Sequence, residues 1–210
     1  MPRETKYALD FLSAQSWLKT SKWYLAGGTA LALYFGHRKS VDLDFFLPEK
    51  DFSGEQLIEK LEAGDWHADV FKEGTIYGHL ENAKISFIAY PFFQPRKDPS
   101  WYGSVRVLSP EDIAVMKIIA VSQRGRKRDF IDLYWYLKHK EELTTIIRKL
   151  PDQYPNIAHD YHHILKALMY FKDADEDPMP QLFFKADWKT VKQYFDHTVP
   201  QVAKEVMRLK

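Results

Sequence analysis

The chain contains no cysteine. Disulfides, thiol nucleophiles and cysteine-ligated zinc are therefore excluded. A strong charge of either sign is missing too: 30 basic against 29 acidic residues leave a net charge of +1. No global field draws the protein to a polyanion, so any such partner must be met by a local patch. No apolar run approaches the roughly 20 residues needed to span a bilayer. The N-terminal Met-Pro-Arg-Glu-Thr-Lys lacks the apolar stretch of a signal peptide, so a cytoplasmic protein with no membrane partner is expected. Internal repeats and low-complexity tracts are absent as well. What is present is core material: 45% hydrophobic and 15% aromatic residues in 210 positions, enough for one domain with a helical extension.

Apolar spacing over 6–19 predicts an amphipathic helix. A short strand over 23–26 runs into Gly27-Gly28, and 29–35 reads as a buried helix ending at Gly36. A strand follows over 41–47, stopped by Pro48, then a helix over 54–61 with Ser53 as cap and Gln56 three residues on. The stretches 66–71, 75–80 and 84–90, punctuated by Gly74 and Glu81-Asn82, suggest a strand meander, and 91–102 a loop. From Ser109-Pro110-Glu111-Asp112, a strong helix start, the chain reads as helices over 111–122, 127–138, 141–150, 158–171 and 188–206, with a break at 173–180. The expected fold is α+β: a mixed sheet with flanking helices over 1–108, then a helical C-terminal region over 109–210 packed on that core.

Two short patterns carry chemistry. In a strand, residues two apart share a face, so Asp42 and Asp44 project together while Val41, Leu43 and Phe45 enter the core. Adjacent carboxylates repel unless a cation sits between them. Hard oxygen ligands with positions left for phosphate suit Mg²⁺ or Mn²⁺. The same pattern also describes a hydrated edge strand. Gly27-Gly28-Thr29 joins a strand to a helix, where glycines let backbone N–H groups approach a ligand and the helix N-terminus favours phosphate. Alone it also describes a plain tight turn. Together the two patterns place phosphate donors and metal ligands on one side of one sheet.

The stretch from Leu25 to Phe46, Leu-Ala-Gly-Gly-Thr-Ala-Leu-Ala-Leu-Tyr-Phe-Gly-His-Arg-Lys-Ser-Val-Asp-Leu-Asp-Phe-Phe, resembles the signature of the AbiEii/AbiGii-type nucleotidyltransferases of the polymerase-β-like superfamily. That family includes toxins of toxin–antitoxin and phage-defence systems. Residues 84–92, 110–117 and 127–134 extend the resemblance over about two thirds of the chain. It implies a nucleotidyltransferase-like sheet and transfer of a nucleotidyl group from a nucleoside triphosphate to an acceptor hydroxyl. It further implies RNA such as tRNA as acceptor, and an antitoxin as protein partner. Residue by residue, Gly27, Gly28 and Thr29 match the phosphate turn, Asp42 and Asp44 the metal pair, and Lys117 a lysine at the nucleotide phosphates. Asp129 and Asp132 match the acidic positions of a late Arg-Asp-x-x-Asp segment.

The residues themselves leave alternatives beside these roles. A lysine within an apolar helix needs an anion, and for Lys117 an Asp of the core serves as well as a phosphate. Asp129, in a first helical turn, also reads as a cap or a partner of Arg126 or Arg128. Arg38 and the run Arg124-Gly-Arg-Lys-Arg128 are further cations for phosphate or RNA, and His37 reads as a loop or packing residue. His159 and His163 share a face on the expected helix but lack a third zinc ligand. Trp135, Tyr134, Tyr161 and Tyr170 read as packing. One departure stands out: the superfamily's third carboxylate would fall at Ser86 or nearby, and 84–94 contains no Asp or Glu. Asp69 is the candidate substitute. A catalytically impaired nucleotide-binding module and a protein-directed nucleotidyltransferase are the two alternative functions.

Overall fold

The structure, a computed structural model, describes residues 1–80 and 82–206. Glu81 of the expected Glu81-Asn82 punctuation lies outside them. The chain divides into two compact units, 1–35 with 39–110 and 36–38 with 111–210. A single cut after residue 108 was expected; instead Gly36–Arg38, from the connection between a helix and a strand, belongs with the helices.

In the first unit, seven strands among the described residues form one mixed sheet, ordered β3-β4-β5-β2-β1-β7-β6. They are β1 (Tyr24–Ala26), β2 (Leu43–Leu47), β3 (Trp66–Lys72), β4 (Thr75–Leu80), β5 (Ala83–Ala89), β6 (Ser100–Tyr102) and β7 (Val105–Val107). β1 and β2 are antiparallel, β2 and β5 parallel, and β3 to β5 form the expected meander. Strict alternation along β2 buries Leu43, Phe45 and Leu47 and leaves Asp44 and Phe46 half-exposed on the other face. On the core face Phe45 stacks on Phe87 (5.1 Å), and Trp23 and Trp66 meet Phe87 edge-on. Helices α1 (Arg3–Ser13), α2 (Ser16–Thr20), α3 (Gly27–Phe35) and α4 (Gly54–Leu61) flank the sheet. In α4, the Ser53 hydroxyl accepts the Gln56 N–H, as the cap pattern requires.

Three local expectations are corrected. The helix over 6–19 is two helices, because the Ser13 carbonyl accepts the Ser104 N–H and Gln15 turns extended. The supposed loop over 91–102 ends in edge strand β6. Gly103, at φ 58°, permits the turn that pairs it with β7. Finally, β2 begins at Leu43, so Asp42 precedes the strand and Val41 is exposed rather than part of the core.

The second unit contains α5 (Pro110–Arg124), α6 (Lys127–His139), α7 (Leu143–Arg148), α8 (Leu150–Gln153), α9 (Tyr161–Ala167), α10 (Lys172–Glu176) and α11 (Trp188–Val206). Its core centres on Phe130, which packs on Phe171, Trp188 and Phe195. The helix expected over 158–171 starts only at Tyr161, capped by Asp160. His159 is therefore off that helix, and its ring bonds the Tyr154 carbonyl while His163 bonds that of Ser122. Their zinc spacing disappears. Tyr134 is buried as expected, whereas Tyr170 is exposed rather than packed. No described helix is long and apolar enough to cross a membrane.

Candidate active site

In the first unit the site is built from β1, α3, β2 and β5. β1 ends at Ala26 and α3 begins at Gly27 with no residue between. Gly27 makes this turn at φ 74°, a conformation that side chains rarely adopt. Its neighbour on β2 is Asp44, in register with Ala26. A methyl group at Gly27 would stand 2.7 Å from Asp44 Oδ2, so only glycine leaves room for that carboxylate beside the turn. On the other side β5 sets Ser86 in register with Asp44, and the Ser86 hydroxyl donates to Asp44 Oδ1 at 2.8 Å. One oxygen is thus anchored to the sheet and the other lies against the glycine turn.

Asp42 is placed differently. The Thr29 hydroxyl donates to the Asp42 backbone carbonyl and is also bonded to Ser40 Oγ at 2.9 Å. Thr29 is 1% exposed. Its hydroxyl, expected to face phosphate, instead holds the segment that presents Asp42. Gly28 is buried. Asp42 and Asp44 are both half-exposed. Among the described residues no group of three His, Cys, Asp or Glu side chains could hold a metal. The position beside Asp44 where a third carboxylate would stand is Ser86. Asp69 does not substitute, since it lies on β3 with β4 and β5 between it and β2, and it pairs with His79 at 2.8 Å. The donor set is all oxygen, carried by two reachable carboxylates. That composition fits a hard divalent cation whose remaining positions go to phosphate and water.

In the second unit the remaining candidates meet in one buried cluster. Asp132 on α6 accepts from Arg38 Nε (2.6 Å) and Nη2 (2.7 Å), pairs with Lys117 Nζ (2.8 Å) and bonds His37 Nε2 (2.7 Å). Asp129, one turn earlier, takes Lys117 Nζ at 2.5 Å and Arg124 Nε at 3.1 Å. Both aspartates are fully buried, and Lys117 and Arg38 are 5% and 4% exposed. Burial opposes ionisation of Asp132, but Lys117 and Arg38 with the hydrogen bonds from His37 and Arg38 outweigh it. They hold the carboxyl well below the usual carboxylate range. Asp129 is lowered likewise, with burial outweighed by Lys117 and Arg124.

The partners of Asp129 are therefore Lys117 and Arg124, whereas Arg126 bonds Asp177 at 3.2 Å. Arg124 and Arg126 of the basic run are thus paired with acids of their own unit, and the Lys127 ammonium donates to the Asp177 backbone carbonyl. His37 was read as a loop or packing residue; its ring is in fact a buried partner of Asp132. The sequence signal, a histidine beside Arg38 next to a helix-ending glycine, does not show which acid it meets.

A family model described as "Nucleotidyl transferase AbiEii toxin, Type IV TA system" matches residues 11–94 and 81–207. The chain belongs to the AbiEii nucleotidyl transferase toxin family. An uncharacterised protein of Aquifex aeolicus (strain VF5) is 36% identical over 187 residues, covering 85% of this chain and 87% of its own. Two solved structures share the fold of this AbiEii protein. JHP933 from Helicobacter pylori has a TM-score of 0.57 at 17% identity, covering 100% of this chain and 96% of its own. MenT4, a nucleotidyltransferase toxin of Mycobacterium tuberculosis H37Rv, has a TM-score of 0.50 at 13% identity, covering 94% and 84%. The AbiEii protein is thus a transferase with the mixed α+β fold that the resemblance implied.

The Gly27 geometry makes a direct prediction. Gly27→Ala forces a strained φ and pushes Asp44 Oδ2 away, so transfer is expected to fall at least tenfold while the fold survives. The folding cost is about 1–2 kcal/mol. Denaturant unfolding beside a transfer assay measures both. Ser86→Ala removes one anchor of Asp44 but leaves its charge, and a modest loss in kcat is expected, about five- to tenfold, from a hydrogen bond worth about 1–1.4 kcal/mol net.

Proposed function

We propose that this AbiEii transferase moves a nucleotidyl group from a nucleoside triphosphate to an acceptor hydroxyl on RNA, tRNA among the candidates, using Mg²⁺ or Mn²⁺. The observation that carries this reading is Asp44, fixed by Ser86 through one oxygen and set against the Gly27 turn through the other. Asp42 and Asp44 would hold the cation. When bound, that ion would neutralise phosphate charge and make the attacking hydroxyl more acidic. Gly27 and Gly28 open α3 with backbone N–H groups suited to phosphate, and Thr29 acts on Asp42 as a positioning residue. Ser86 donates to Asp44 and cannot accept a proton as a third carboxylate would.

For the cations of the second unit the proposal is narrower. Lys117 and Arg38 are already paired with Asp129 and Asp132, so a phosphate would share or compete for them with those carboxylates. Asp129 and Asp132 position them. The family's description as a toxin of a toxin–antitoxin system supports an antitoxin as partner; growth inhibition as the outcome and a cytoplasmic location belong to the same proposal.

The test is incubation of the purified chain with each labelled nucleoside triphosphate, Mg²⁺ or Mn²⁺, and total RNA. Label on RNA that depends on Asp42 and Asp44 is expected. Label on protein alone would make the acceptor a protein side chain, and nucleotide binding without turnover would leave a binding module. Absence of transfer under every condition, with wild type equal to the Asp42→Ala/Asp44→Ala variant, overturns the reading.

A further inference from the structure

The sheet face that carries Asp44 continues outward across β5, β4 and β3. Alternation along β4 buries Ile76, Gly78 and Leu80 and leaves Thr75, Tyr77 and His79 more open on the opposite face. Ile76 is in register with Phe87 of the core, and a methyl group on Gly54 of α4 would come within 3.1 Å of it, so α4 covers that side. Tyr77 is in register with Ser86, and Ser86 with Asp44. Tyr77 therefore stands on the Asp44 face, two strands away, or about 10 Å along the row. It is 43% exposed. The residue between them in the row is the small Ser86, so no large side chain of β5 separates the ring from the carboxylate.

The charge around Tyr77 is positive. Lys84 on β5 lies two residues before Ser86, and Lys72 on β3 lies two after Val70, the register partner of Tyr77. Both lysines share its face and are exposed. Asp69, the only acid in the sequence of these three strands, is paired with His79 at 2.8 Å. An open ring between two ammonium groups fits an unpaired base with phosphates on either side of it. Bases of a duplex already stack on one another, so the ring selects a single strand. The direction of the reaction says which strand. In-line displacement puts the attacking and leaving oxygens on opposite sides of the transferred phosphorus. With the triphosphate on the Gly27 turn, pyrophosphate leaves on the β1 side of Asp44. The attacking hydroxyl then comes from the other side, over β5 and β4.

We propose that the Tyr77 face of β3 to β5 binds the single-stranded end of the RNA acceptor, with a base stacked on Tyr77 and adjoining phosphates at Lys72 and Lys84. The proposal rests on the reading of Asp42 and Asp44 as the transfer site. Stacking on an aromatic side chain is tolerant of which base is bound, so Tyr77 holds the strand beside the carboxylates without selecting its sequence.

The test measures binding by the full chain, without turnover, of a fluorescently labelled single-stranded oligoribonucleotide of about 12 nucleotides. The same strand annealed to its complement, and ATP, GTP, CTP and UTP, are the comparison ligands. Tyr77→Thr removes the ring but keeps a strand-favouring residue; it should weaken the single strand at least about fivefold and leave the triphosphates unchanged. Tyr77→Trp should bind as wild type does. Lys72→Gln and Lys84→Gln should each lower the slope of log affinity against log salt by about 0.7. The duplex should bind more weakly than the strand and be indifferent to Tyr77→Thr. No binding of the strand by wild type overturns the proposal, as does wild-type affinity for it in Tyr77→Thr. A loss confined to the triphosphates also overturns it, because Tyr77 would then seat the incoming base. Strand binding that needs Tyr77, in a protein that transfers nothing, supports the RNA contact and counts against the transfer reading alone.

Discussion

Asp42→Ala and Asp44→Ala are each expected to lower nucleotidyl transfer by about a thousandfold or more, equivalent to about 4 kcal/mol of transition-state stabilisation. The size follows from charge. A divalent ion held by the two carboxylates would balance the charge that builds on the transferred phosphate, and one neutral substitution would halve that anionic donor set. Asp44→Asn separates geometry from charge, because the amide oxygen can still accept the Ser86 hydroxyl while the negative charge is gone. It should be nearly as inactive as Asp44→Ala. Both side chains are half-exposed, so unfolding free energies should move by only about 1 kcal/mol. Single-turnover rates over a Mg²⁺ and Mn²⁺ titration, beside denaturant curves, make the measurement. Wild-type rates in both alanine variants would remove the metal pair from the mechanism.

The second large effect is on stability. Asp132→Ala is expected to destabilise the protein by about 3–5 kcal/mol, because it leaves the buried Arg38 and Lys117 charges short of their partner. For a chain of this length that corresponds to a fall in Tm of about 10 °C. Asp132→Asn keeps the shape and part of the hydrogen bonding but not the charge, and should recover only a fraction. The sign with pH is fixed by the lowered folded-state carboxyl. Its contribution is fully present above the unfolded carboxylate range, near pH 4, and is lost as pH falls through the lower folded value. The gap between wild type and Asp132→Ala should therefore be widest at neutral pH and close below about pH 4. A gap under 1 kcal/mol at pH 7, or one that widens in acid, would contradict this account of the cluster.

Several residues show where sequence reading stops. Alternation placed Leu43, Asp44 and Phe45 correctly because a strand side chain has only two faces to choose from. It misplaced Val41 because the strand starts two residues later, where Thr29 captures the Asp42 carbonyl. That hydrogen bond spans thirteen residues, and no local pattern encodes it. Lys117 and the Asp129/Asp132 pair were visible as charges on helices needing partners. That they meet one another, with Arg38 and His37 arriving from a distant connection, depends on contacts across about ninety-five positions. The missing acid on β5 and its position at Ser86 or nearby were legible; the hydrogen bond by which Ser86 holds Asp44 was not.

By itself the sequence determined the α+β class, the order of most elements, the glycine turn and the face on which Asp44 stands, since each rests on periodicity or on short-range backbone chemistry. Only the tertiary structure decided that Gly27 makes room for the Asp44 carboxylate, that Thr29 serves Asp42, and that the late aspartates are sealed in a charge cluster. Those outcomes depend on strand register and burial, which set distances between residues far apart in the chain and which a linear pattern does not contain.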